Sequence, residues 1–365
     1  MSILYLSIFL LSISVLEICN FNRKYCFIIS TILVYYYICF SYKLGVDWIE
    51  YYSLFKGLSD DSNYEIGFSL LSKTFNYINI DFWVFTFFIK FIFLFSLFSL
   101  LKKYCYYPSS ALTLIIIFLF PFINDPLRQL LAASFLFLGL IIGTSYKFSY
   151  TKIFIGTLFH SSYIFILFTK LREIKKKKLV SISIPLVLIS ILILDNFHYL
   201  SFIGDNFIIR KLNFYLTYSV KPNIYSLIIR IFFLYIICFN KKINFSNKTM
   251  LKINIYKTFW ILSFLLLLAE ILAFQFPLLS QRLRLYLSPF PFILFLNYLS
   301  LLKNYTNKLV LFSIIFLYLY ATLFNFINGP MGSFYSLENN YFTQLFLGFP
   351  SNNIEENVRN FWLKN

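Results

Sequence analysis

Asp81–Lys103 reads DFWVFTFFIKFIFLFSLFSLLKK, an apolar run interrupted by one lysine, Lys90, and closed by the pair Lys102-Lys103. A helix needs roughly 20 apolar residues to cross a hydrocarbon core about 30 Å thick, and this run has that length. Charged residues in short loops cross a bilayer poorly, so the closing lysine pair marks a cytoplasmic end. The same punctuation recurs at Arg23-Lys24, Lys175 to Lys178, Lys241-Lys242, and Lys303 with Lys308. Besides 81–101, apolar segments lie at 2–19, 25–42, 108–123, 127–145, 179–195, 224–239, 258–275, 287–302 and 309–327. Open sheets cannot satisfy their backbone in lipid. The pattern therefore predicts an all-α polytopic integral membrane protein of about ten transmembrane helices, a single membrane domain over residues 1–365.

The composition excludes other classes. Hydrophobic residues make up 59% of the 365 and charged residues 13%. With a mean hydropathy of +0.74, this is no soluble globular domain. A formal charge of +17 would suit nucleic acid, but most of it is topology-setting lysine, so no nucleic-acid partner is expected. Cys19, Cys26, Cys39, Cys105 and Cys238 lie in or beside apolar segments without metal-ligand spacing. They read as small buried hydrophobes, and neither a metal nor a cofactor is expected. Segment 2–19 lacks a preceding basic residue and a small-x-small cleavage site, which predicts a retained helix rather than a cleaved signal. Walker loops, dinucleotide-binding glycine patterns and Gly-x-Ser-x-Gly elbows are missing from the sequence. Energy must then arrive with the substrate or from a gradient.

With the lysine clusters inside, the loops 43–80 and 196–223 and the tail 328–365 face outward. Arg128, Arg210, Arg282 and Arg284 fall in outward turns, and Arg230 lies a turn or two inside segment 224–239. The topology rule does not ask for arginine there. A guanidinium offers a planar fork of donors that matches phosphate, which makes a shared anion site one reading. Snorkelling to lipid headgroups is the other. Residues 153–168 pose a separate problem, being apolar yet flanked by Lys147, Lys152 and the basic run from Lys170 to Lys178. A re-entrant helical hairpin turning near His160-Ser161-Ser162 reconciles charge with length; a single crossing that breaks the topology rule is the alternative.

Gly45-Val46-Asp47-Trp48-Ile49-Glu50-Tyr51-Tyr52 and Tyr64-Glu65-Ile66-Gly67-Phe68 set carboxylates beside aromatic rings. Ring faces stack on sugars while carboxylates accept sugar hydroxyls; an interfacial aromatic belt has the same composition. His160, inside an apolar stretch, is either a general base near neutral pH or a hydrogen-bonded packing residue. His198 lies in a loop and reads as solvated. Lys90 and Glu270 are intramembrane and either pair with each other or serve a site.

Taken in order, these positions resemble the EpsG/Wzy-like family of bacterial polysaccharide polymerases. The resemblance rests on Gly45-x-Asp47 with Tyr51, Glu65-x-Gly67-Phe68, Arg128-Gln129-x-x-Ala132, Phe159-His160-x-Ser162 and Gln281-Arg282-x-x-x-Tyr286, and spans residues 43–290. It implies an enzyme of the bacterial inner membrane whose catalytic loops face the periplasm or exterior. The substrates would be glycan repeat units linked to undecaprenyl pyrophosphate. The acceptor's non-reducing-end hydroxyl would attack the donor's anomeric carbon with inversion, expelling the pyrophosphate lipid. Arginines would neutralise the leaving group without help from a metal. His160, Arg128 and Arg282 are the expected catalytic residues, with Asp47 or Glu65 as replacement bases. Arg284, Arg210, Arg230, Asp47, Glu65, Tyr51 and Tyr286 are the expected substrate contacts. Membrane lipids and a chain-length-determining co-polymerase are the implied partners. An O-antigen ligase or other lipid-linked glycosyltransferase shares this plan. A lipid-glycan flippase or transporter is the remaining reading, against which stands the lack of paired inverted repeats.

Overall fold

The computed structural model describes residues 3–58, 64–142, 150–183, 185, 223–329 and 332–335, and no β-strand occurs among them. Two long helices, α1 (Ile3–Ile18) and α2 (Arg23–Cys39), precede two short ones, α3 (Trp48–Phe55) and α4 (Ile66–Tyr77). Next come α5 (Phe82–Tyr104), α6 (Pro108–Asn124), α7 (Leu127–Ile142) and α8 (Tyr150–Phe159), then a 3₁₀-helix at Ser161–Glu173. The chain continues with α9 (Ile224–Phe239), α10 (Lys241–Met250) and α11 (Ile253–Leu272). It closes with α12 (Pro277–Leu287), α13 (Pro289–Ser300), α14 (Tyr305–Ile327) and a 3₁₀ turn at Gly332–Tyr335.

The stretch Asp81–Lys103 becomes α5. Asp81 caps it by accepting the Trp83 N–H at 2.7 Å, and Lys102 and Lys103 occupy its last turn, where the helix dipole favours cations. Among the described residues, α5, α11 and α14 are long and apolar enough to cross a membrane. A fourth span is reached if Ile224–Phe239 and Lys241–Lys248, bent by 54°, form one crossing. Ile3–Ile18, Pro108–Phe120, Leu127–Ile142 and Pro289–Ser300 are apolar but shorter. Segment 43–80 is more ordered than a loop, since α3 and α4 occupy much of it, and the connection after 239 contains α10. Residues 186–195, nearly all of 196–223 and 336–365 lie outside the described residues.

The chain packs as two compact units, Met1–Ile166 with Phe295–Asn365, and Leu167–Leu294. In the first, α1 is stitched to the start of α6 by a buried carboxylate. Glu17 is fully buried; its Oε1 accepts the Ser109 N–H at 2.9 Å, and its Oε2 accepts the Ser110 N–H and hydroxyl, both at 2.7 Å. The first N–H groups of a helix have no intrahelical partner, so an anion belongs there. Glu17→Gln leaves a single acceptor oxygen for this end of α6. We expect thermal unfolding in detergent to show a loss of about 1–3 kcal/mol, the cost of an orphaned buried donor.

In the second unit α11 runs against α9 and α12. Trp260 donates its Nε1–H to the Cys238 carbonyl at 2.8 Å. Lys176, from the basic run Lys175 to Lys178, lies over the Trp260 and Tyr256 rings at 4.1 and 4.6 Å. Burial, with Lys248 adding to it, pulls this amine down to about 7.

Candidate functional site

Four separated stretches of the first unit meet at the break after α8. Gly67 permits the approach: a Cβ there would lie 2.7 Å from the Leu158 carbonyl oxygen, so α4 rests on α8 only without a side chain. Glu65, at the start of α4, then reaches across. Its Oε1 accepts the Ser161 N–H at 3.1 Å and its Oε2 accepts from Arg128 Nη1 at 2.6 Å. The Arg128 guanidinium lies over the Tyr64 and Tyr51 rings, 5.0 and 5.9 Å from their centroids. Its Nε is buried and has no hydrogen-bond partner. Glu65 and the Tyr51 side chain thus both bond Arg128, and the buried Nε is the donor they leave unmet.

Desolvation pushes the Glu65 carboxyl up, but Arg128, His160 and the Ser161 N–H outweigh it and hold it below its usual 4.5. Such a carboxylate is a weak base near neutral pH. Its geometry is that of a residue that positions Arg128.

His160 ends α8 and is buried. Its Nδ1 accepts the Ser162 backbone N–H at 3.1 Å and lies 2.6 Å from Ser162 Oγ. A backbone N–H can only donate, which assigns the ring proton to Nε2. Gln129 faces Nε2 at 3.3 Å through its amide nitrogen. Its Oε1 is buried without a partner. Turning the amide over gives Nε2–H the acceptor this tautomer needs. Around His160 the chain changes from α-helix to 3₁₀-helix.

A second node supports this centre. Gly45 sits at φ +90° and donates its N–H to the Phe334 carbonyl at 2.7 Å. Asp125 Oδ1 accepts the Val46 and Asp47 N–H groups at 2.8 and 3.3 Å, and the Tyr335 hydroxyl donates to Oδ2. The final 3₁₀ turn, the α6–α7 turn and the start of α3 are thereby tied together. Burial pushes Asp125 up from 3.8 to about 6, against the hydrogen bonds from Tyr335, Val46 and Asp47. An acid raised in the fold contributes stability that is fully present below 3.8 and is lost as pH rises through about 6. Asp125→Asn should remove this slope, so that melting temperatures of the parent fall relative to the variant between about pH 4 and about pH 6.

The other arginines singled out in the sequence are not part of the first unit. Arg210 is outside the described residues, while Arg230, Arg282 and Arg284 belong to the second unit. Glu270, fully buried in α11, accepts from Arg230 Nε at 2.9 Å, and from Arg284 Nε and Nη2 at 2.5 and 2.9 Å. Arg282 stands two residues from Arg284 on α12, about 200° around the helix, and so presents to a different side. Tyr286 is buried in the same helix. In the first unit, Lys90 Nζ donates to Ser41 Oγ at 2.6 Å and Asn124 Oδ1 at 3.4 Å.

A family model described as the EpsG family matches residues 24–341. The chain belongs to the EpsG family. EpsG proteins are a Wzy-like polymerase family, which agrees with a membrane polysaccharide polymerase built of apolar helices. Neither the curated proteins nor the solved structures give a match. In this EpsG chain Tyr51, Glu65, Arg128 and His160 lie together. Sequence reading missed Gln129 and Ser161 as their partners, Asp125 as the clasp and Glu270 as the anchor of Arg230 and Arg284. The Asn124-Asp125-Pro126 turn was the one signal for Asp125; Glu270 stood out as a lone acid in an apolar run, but nothing local named Arg230 and Arg284 as its partners.

Proposed function

We propose that this protein joins undecaprenyl-pyrophosphate-linked oligosaccharide repeat units at the outer face of the bacterial inner membrane. The chain crosses about ten times, with lysine clusters inside and the segments 43–80 and 196–223 and the tail 328–365 outside. One observation carries the reading: Arg128 is bonded by Glu65 and Tyr51, lies beside Tyr64, and keeps a buried Nε without a partner. A preorganised guanidinium with a donor to spare suits charge that develops on a leaving pyrophosphate.

In the reaction, the acceptor sugar's hydroxyl oxygen bonds to the donor's anomeric carbon on the face opposite the pyrophosphate. The carbon–oxygen bond to pyrophosphate breaks and the configuration inverts. The hydroxyl proton passes to Ser162 Oγ as Ser162 gives its own to His160 Nδ1, the ring nitrogen left unprotonated. Asp47 is the alternative base. Arg128 and Arg282 stabilise the leaving group, while Arg210, Arg230, Arg284 and Tyr286 hold substrate; no metal takes part. Membrane lipids surround the protein, and a co-polymerase sets chain length.

An in-frame deletion, read as a surface-glycan ladder on a gel, tests this. Loss of the ladder with a single capped unit surviving supports polymerisation. Loss of that unit too points to an O-antigen ligase, another lipid-linked glycosyltransferase or a flippase.

A further inference from the structure

Lys90 lies inside α5, a helix long and apolar enough to cross a membrane, and is 4% exposed. Holding an ammonium there is costly, and packing alone does not ask for it. Its Nζ gives two of its three protons to Ser41 Oγ and Asn124 Oδ1. Among the described residues the third proton has no acceptor. Trp48, at the start of α3, is similarly enclosed at 6% exposed, and its Nε1–H has no hydrogen-bond partner. An indole N–H can only donate, and native proteins rarely leave such a group unmet.

A small cavity joins these two side chains. Trp48, Trp83 and Tyr51 supply its aromatic wall, and Lys90, Asn124 and Asp125 its polar one. Its volume is about 10 Å³, room for one oxygen-sized group and not for a sugar ring. Lys90 and Asp125 give the lining no net formal charge, so a carboxylate placed in the cavity would face Asp125 uncompensated. A neutral carbonyl oxygen accepts from two donors and brings no proton that needs an acceptor. The cavity also adjoins the candidate site. Tyr51 lines it and bonds Arg128, and Leu127, the residue before Arg128, lines it too.

We propose that this cavity reads an acylamido substituent on the donor sugar, with Trp48 and Lys90 as the specificity-determining donors to its carbonyl oxygen. This rests on the reading that Arg128 stabilises the leaving pyrophosphate. That group is bonded to the anomeric carbon, and a substituent on the next ring carbon falls about one side chain's width away. The acyl methyl meets the Trp48 and Trp83 rings, whose centroids are 5.5 Å apart.

The test uses the full chain in a detergent without sugar headgroups. Calorimetry titrates two probes, a short-chain polyprenyl pyrophosphate carrying N-acetylglucosamine and the same lipid carrying glucose, which has a hydroxyl in place of the acetamido group. The parent should bind the acetamido probe about tenfold more tightly. Trp48→Phe keeps an aromatic ring and breaks no side-chain hydrogen bond, so its melting temperature should stay close to the parent's. It should lower the preference about fivefold and leave affinity for the glucose probe unchanged. Equal binding of both probes by the parent, or a Trp48→Phe loss that falls equally on both, overturns the proposal. Parent protein that discriminates between the probes yet joins no repeat units would instead count against the polymerase reading, leaving the cavity's role intact.

Discussion

Arg128→Ala should lower the polymerisation rate by about 10²–10³-fold, the usual effect of removing one preorganised donor from a developing oxyanion. Arg128→Lys should recover little of it. Lysine keeps the charge but offers a point donor in place of a fork, and its ammonium lacks the planar group that Arg128 holds 5.0 and 5.9 Å from the Tyr64 and Tyr51 ring centroids. Glu65→Gln should fall between, about tenfold down, because the Ser161 N–H keeps an acceptor while the ion pair with Arg128 is lost. The order Arg128→Ala, Arg128→Lys, Glu65→Gln, parent is the signature, measured as repeat units joined per minute on variants with parent-like melting temperatures. Full activity in Arg128→Lys would place the leaving group elsewhere.

Gly45→Ala should be the most damaging small substitution for the fold. The backbone at φ +90° disfavours any L side chain, at a cost of about 1–3 kcal/mol. The added Cβ would also fall 1.8 Å from Asp125 Oδ1, so the carboxylate must leave the Val46 and Asp47 N–H groups it serves. Because both losses pass through one carboxylate, Gly45→Ala and Asp125→Ala should combine to less than the sum of their separate effects. Thermal unfolding of the two single variants and the double variant reads this directly. Additive losses would mean that Gly45 acts through the backbone alone.

Much of the helical plan was legible because apolar runs and lysine clusters act locally. The start of α11 was not: Ile253 to Lys257 is mixed and basic, yet it belongs to the helix, since long basic side chains can leave the apolar layer while the backbone stays helical. The short helix α3 was hidden because eight residues are too few to show a period. The candidate site was legible as an ordered set of residue types but not as a set of pairs. Glu65 and Arg128 are 63 residues apart, and only the glycine-lined contact of α4 with α8 brings them together. Arg282 and Arg284 are alike in sequence; it is the turn of α12 that gives Glu270 to Arg284.

Purified protein in proteoliposomes, supplied only with undecaprenyl-pyrophosphate-linked repeat units, gives the most direct measurement. Polymerisation predicts lipid-linked products growing in steps of one repeat unit, with free undecaprenyl pyrophosphate released once per step and neither product formed by Arg128→Ala. Repeat units that stay single while moving across the bilayer, or while passing to an unrelated acceptor, would contradict it.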